Sequence, residues 1–169
     1  VGDVLSYDGT DWGSVPGVTA TIKTASFMST VSQDVGTANN GIGTNIQINL
    51  TNVLGPNSLG YGLISGNITI PSAGWYKVSL KGLTETTTNS RQNTSFVVKR
   101  NSVDIFGTKV AGYNRNSSNN LASATLCPTL PQFQFSQGDT IGLYAISGGD
   151  NSQTSLTISQ ECILTLELI

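Results

Sequence analysis

Between Gly66 and Leu80 the apolar side chains fall on every second residue, and the rhythm is broken once, by a Pro-x-x-Gly step. Ile68 and Ile70 alternate with Asn67 and Thr69, Pro71 and Gly74 punctuate, and Tyr76, Val78 and Leu80 then alternate with Lys77 and Ser79. A period of two is that of a pleated strand with one buried face, and proline with glycine marks a turn. The segment therefore predicts two strands and a tight turn. No stretch of the chain sustains a helical period, so the fold class read from the sequence is all-β.

The same reading places strands at about 18–31, 45–51, 60–70, 74–83, 94–100, 103–110, 120–130, 139–147 and 156–168. Their connections are of two kinds. Pro71–Gly74, Asn101–Ser102 and Ser136–Asp139 are short, whereas Thr84–Asn93, Ala111–Asn120 and Ser147–Ser155 are long and polar, and the two kinds alternate along the chain. In an antiparallel up-and-down arrangement every second connection lies at the same end. The short turns are thus expected at one pole, together with the C-terminus and the N-terminal entry, and the long connections at the other. Shared strand parity predicts a core of Ile68, Ile70, Tyr76, Val78, Leu80, Phe96, Val98, Leu164 and Leu166. Ile163 and Ile169 occupy the opposite parity of the last strand, which suggests a second dry surface on that sheet.

Composition excludes several function classes. At 169 residues the chain can bury one core, and with 10 acidic against 8 basic side chains, a net charge of −2, it presents no overall attraction for nucleic acid or an anionic membrane. Only 11% of residues are charged, so the surface rests on Ser, Thr, Asn, Gln and Gly, a style that suits secreted or particle-bound proteins. No apolar run reaches the length of a membrane span. The chain contains no His, which removes Ser-His-Asp and Cys-His catalysis and imidazole-based zinc sites. Carboxylates are scattered singly outside the first segment, and Asp139 follows Gly138 in a turn where an aspartate bonds its own backbone. Asp3, Asp8 and Asp11 lack the acidic density of a calcium loop and read as solvated turn carboxylates. No catalytic residue, metal ligand or cofactor is expected, and the chain is not read as an enzyme.

Four segments carry a family resemblance. The strand–Pro-x-x-Gly–strand block from Gly66 to Leu80, the hairpin Val97–Ile105 (Val-Val-Lys-Arg-Asn-Ser-Val-Asp-Ile), the Gly-Asp turn within Phe133–Leu143 and the terminal strand Glu161–Ile169 resemble, in order and spacing, the C1q and tumour-necrosis-factor-like jelly roll over residues 18–169. That resemblance implies an antiparallel jelly-roll β-sandwich assembled as a homotrimer. On it, Cys127 and Cys162 fall on strands separated by a third, beyond disulfide reach, and are read as small buried hydrophobes. Residues 1–17 form a linker or shaft-proximal arm, with room for a small hairpin around the turn dipeptide Asp8-Gly9. Their pattern Gly-x-Val-Leu-x-Tyr-x-Gly-x-x-Trp is similar to the phrase that joins shaft to head in phage and viral fibres. The remainder of such a spike or shaft is expected upstream of Val1.

The expected function is attachment to a host-cell receptor at the virion surface. The long connections hold Arg91, Tyr113, Arg115 and Asp150 among small polar residues, a mixture of aromatic, guanidinium and adaptable groups suited to recognition. A non-viral C1q-like structural or adhesive domain of an extracellular, cell-surface or spore coat protein is the second reading, and a carbohydrate-active enzyme a third.

Overall fold

The computed structural model describes residues 4–7, 12–15, 23–34, 45–86, 91–115, 122–148, 157–158 and 160–169. A small hairpin comes first, β1 (Val4–Tyr7) paired antiparallel with β2 (Trp12–Val15), within the segment read as a linker. The remaining strands form two antiparallel sheets arranged as a sandwich. The larger has eight strands, running β4 (Gln33–Asp34), β16 (Thr157–Ile158), β9 (Gly74–Thr86), β17 (Ile163–Leu168), β3 (Thr24–Met28), β6 (Asn52–Leu54), with β13 (Ala122–Leu126) and β14 (Thr129–Phe135) on the other edge of β9. The smaller has seven, running β11 (Val103–Asp104), β10 (Arg91–Arg100), β15 (Thr140–Gly148), β8 (Asn67–Thr69), β7 (Gly62–Ile64), with β12 (Val110–Arg115) also on β10 and β5 (Asn45–Gln47) on β15.

Alternation decides what faces the core. All nine positions predicted from parity are buried, none more than 4% exposed, and Phe27, Ile48, Ile141 and Leu143 join them at 0%. Each such side chain contributes about 1.5–3 kcal/mol by leaving water. Aromatic rings continue the core toward the short-turn end: Phe27 meets Tyr61 edge-on at 5.9 Å, Tyr61 meets Tyr76 at 6.3 Å, and Tyr76 meets Phe135 at 5.4 Å. The phenols stay satisfied because Tyr76 donates to the Ser72 carbonyl at 2.7 Å and Tyr61 to the Lys23 carbonyl at 3.3 Å. The opposite face of the larger sheet is mixed rather than dry. Lys77 and Glu167 pair there at 3.9 Å, the hydroxyls of Ser26 and Thr165 share a 2.7 Å bond, and Ile169 is 60% exposed.

The two poles separate as parity requires. Gly138 N–H donates to the Ile70 carbonyl and Ile70 N–H to the Asp139 carbonyl, each at 2.9 Å, while Asn101 N–H donates to the Thr140 carbonyl at 2.8 Å. The three short turns are thereby bonded into one end of the sandwich. Asn101 and Ser102 have φ of 50° and 69°, the pair of positive values that matches a two-residue hairpin turn to strand twist. Leu168 N–H bonds the Lys23 carbonyl at 3.0 Å and Ile169 N–H the Trp75 carbonyl at 2.9 Å, so chain entry and the last strand's end lie at this pole too.

Several strand boundaries differ from the sequence reading. The run 60–70 is a hairpin, β7 to β8, because Ser65 and Gly66 turn it with φ of 49° and 76°. The run 156–168 breaks at Glu161, φ 73°, into β16 and β17. The run 103–110 is not one continuous strand. β11 stops at Asp104, Gly107 turns the chain at φ 84°, and β12 begins at Val110. Across that gap the buried Thr108 hydroxyl accepts from Val98 N–H and donates toward the Val98 carbonyl at 3.1 Å and the Ile105 carbonyl at 2.8 Å, standing in for the missing rung of the ladder.

Leu164 is fully buried between β9 and β3. Leu164→Ala is expected to lower stability by about 2–5 kcal/mol through lost burial and a residual cavity, measured by equilibrium denaturation; an unchanged midpoint would contradict this inward placement.

Candidate functional site

The end of the sandwich opposite the short turns is formed, on the smaller sheet, by β12, β10 and β15 side by side. Their register sets Arg91 opposite Arg115 and Asn93 opposite both Tyr113 and Gly148. Cross-strand partners share a face, and positions two apart along a strand share it as well. Positions 91, 93, 113 and 115 therefore occupy one face, and since Asn93 and Ala111 are exposed and Tyr113 is 55% exposed, it is the outward one. The inward parity of β12 is fixed by close packing: a Cβ on Gly112 would come within 3.0 Å of the Leu126 side chain.

This placement revises the sequence reading in one respect. Arg91, Tyr113 and Arg115 are strand residues rather than loop residues, because β10 and β12 extend further toward this pole than their apolar positions indicate. The three are nonetheless brought together. Asp150 lies outside the described residues. The polar run Arg91–Ser95 offers no apolar alternation beyond Thr94, which is why the sequence starts that strand late.

Phe106 is a feature the sequence reading missed. The strand predicted over 103–110 contains it, yet the turn at Gly107 leaves it 98% exposed, with Val103 beside it at 69%. A hollow of about 350 Å³ lies against it, lined by Arg100, Val103, Ile105, Phe133, Gln134 and Phe135. The hollow's one carboxylate, Asp104, is held by Lys99 at 3.0 Å. The Phe-Gly dipeptide in a run otherwise read as strand was the available signal.

The two cysteines differ in their surroundings. Cys162 is buried; its Sγ accepts from Leu83 N–H at 3.4 Å and donates to the Leu83 carbonyl at 3.7 Å. Burial pushes its thiol up to about 11, so it stays protonated at neutral pH. Cys127 corrects the expectation of a buried hydrophobe: it is exposed, because β13 ends at Leu126 and the Cys127-Pro128 step leads over the surface into β14. Among the described residues no group of three or more Cys, Asp or Glu side chains could hold a metal ion, and no helix is long and apolar enough to cross a membrane. No protein-family profile and no curated protein sequence matches this chain.

Asp139 fastens the short-turn pole. Its carboxylate accepts from Ser136 N–H and from the Asn101 amide, each at 2.8 Å, and Arg100 stands 4.0 Å away. Burial pushes its pKa up, but the Ser136 and Asn101 hydrogen bonds and the Arg100 charge together more than offset that and hold it below the ordinary value. A depressed carboxylate contributes stability that is present above its unfolded pKa, near 4, and is lost as pH falls through the folded value. Asp139→Asn is expected to cost on the order of 1 kcal/mol at neutral pH. It should also flatten the loss of stability below about pH 4, read from denaturation midpoints across pH; an acid limb identical to wild type would contradict the assignment.

Proposed function

We propose that this chain is the head of a trimeric virus or phage spike or fibre, a jelly roll of the C1q and tumour-necrosis-factor-like kind that attaches the particle to a host receptor. The observation that carries the reading is the separation of the poles. Lys23, which leads into β3, and the end of β17 lie with the short turns, and Arg91, Tyr113 and Arg115 occupy one face of adjoining strand ends at the other. A head attached through one pole has the opposite pole free for a partner.

The strand order supports the jelly-roll assignment. From β8 onward the chain passes from the smaller sheet to β9 in the larger, back to β10 and β12, again to β13 and β14, then to β15, and last to β16 and β17. Apolar exposure supports self-association. Phe106 at 98%, Val103 at 69%, Trp75 at 53% and Ile169 at 60% are more large apolar surface than an isolated polar domain of this kind needs, and three copies would cover it.

Light scattering of the purified chain is expected to give three times the protomer mass at micromolar concentration. Phe106→Asp should shift that mass toward the monomer, and a monomeric wild type would contradict the assembly. Soluble head should block attachment of intact particles, and Tyr113→Ala with Arg115→Ala should lose that competition without loss of folding, since exposed substitutions change stability little. Undiminished competition by the double variant would move the binding site off this pole.

A further inference from the structure

Two arginines directly opposite one another on the same face of a sheet are unfavourable for folding, because like charges at a cross-strand pair repel. Arg91 and Arg115 stand in that relation, and this chain has only 8 basic residues in all. Their described register neighbours on β10, β12 and β15, Gln92, Asn93, Tyr113, Asn114 and Gly148, are uncharged. The acidic residues at the same end of the other sheet, Asp34 and Glu85, share one register row through Thr157 and belong to the larger sheet, whose outward face is the opposite side of the sandwich. The three long connections 87–90, 116–121 and 149–156 contain one charged residue, Asp150, against the two arginines. Among the described residues, the outward face of the smaller sheet at this end thus carries positive charge alone, on a chain whose net charge is −2.

Resting on the attachment reading above, we infer that Arg91 and Arg115, with Tyr113 beside them, form a binding site for an acidic sugar, recognised through a carboxylate or sulfate group. A planar guanidinium matches either anion with paired charge-assisted hydrogen bonds, which an ammonium does not. The ring at position 113, 55% exposed, offers an apolar surface for the C–H face of a sugar. The exposed Asn93, in register with Tyr113, supplies neutral donor and acceptor groups for its hydroxyls. Two local cations suit one compact anion; a polyanion such as nucleic acid would meet the net negative charge of the rest of the surface. A bound anion also relieves the repulsion between the arginines, so binding and stability are linked.

The test is titration of the intact head with oligosaccharides in matched pairs, each carboxylated (glucuronate- or sialate-bearing) or sulfated sugar against its neutral parent. Acidic members are expected to bind about tenfold or more tightly than their parents, and the advantage should shrink as salt is raised. Carboxylated and sulfated members separately report which anion is used. Arg91→Gln and Arg115→Gln should each remove the acidic preference, while their melting temperature stays level or rises because the like-charge pair is gone. Equal binding of acidic and neutral members, no binding of any member, or an acidic preference that survives both substitutions would each overturn the inference. A head that blocks particle attachment yet ignores acidic sugars overturns this site alone; a head that binds acidic sugars through the arginines yet fails to block attachment overturns the attachment reading and leaves the site standing.

Discussion

The register of one strand holds the sandwich together. β9 is 13 residues long and carries neighbours along both edges, β17 and β16 on one, β14 and β13 on the other. Its even-numbered side chains Tyr76, Val78 and Leu80 enter the core, and Gly82 then leaves room for the Phe96 ring of the opposing sheet, which a Cβ there would overlap. A slip of one residue would send all of these to the surface and bring Lys77 and Lys81 inward, at a cost no rearrangement of the edges could offset. Every partner strand takes its parity from this one.

From that parity follows the division between the poles. One end is stitched by backbone and side-chain bonds among Ile70, Asn101, Asp139 and Thr140 and filled beneath by the Tyr61–Tyr76–Phe135 ring contacts. The other end is built from polar strand termini on which positions 91 and 115, both arginine, are opposite in register. The bonds that fasten the sandwich are thereby gathered at one end of the β ladder, and under the function proposed above recognition falls to the other, where substitutions have little effect on the core.

How much of this was legible in the sequence depended on whether a strand has a dry face. Where apolar residues alternate, as at Ile68 to Leu80 and Leu164 to Leu166, both the strand and its buried positions were readable. Where backbone geometry decides, they were not: Ser65 and Glu161 adopt positive φ without being glycine, and nothing local announces it. The Thr108 hydroxyl replaces a ladder bond, a role visible only once β10 is in place beside it. The polar end of β10 and all of β12 up to Arg115 are strands because a neighbouring strand pairs them, so Arg91, Tyr113 and Arg115, which read as loop residues from sequence, lie on strands. Phe106 was hidden by the opposite error, an apolar residue counted into a strand although the following glycine turns it outward.

If the chain is the head of a particle's spike, as proposed, its orientation on that particle tests the central claim most directly. In an electron cryomicroscopy map of the intact spike, the account predicts that the pole holding Lys23, Asn101 and Ile169 faces the particle and that the strand ends at Arg91, Arg115 and Gly148 lie outermost. A map with the strand ends turned toward the particle, or buried between the copies of the head, would contradict it.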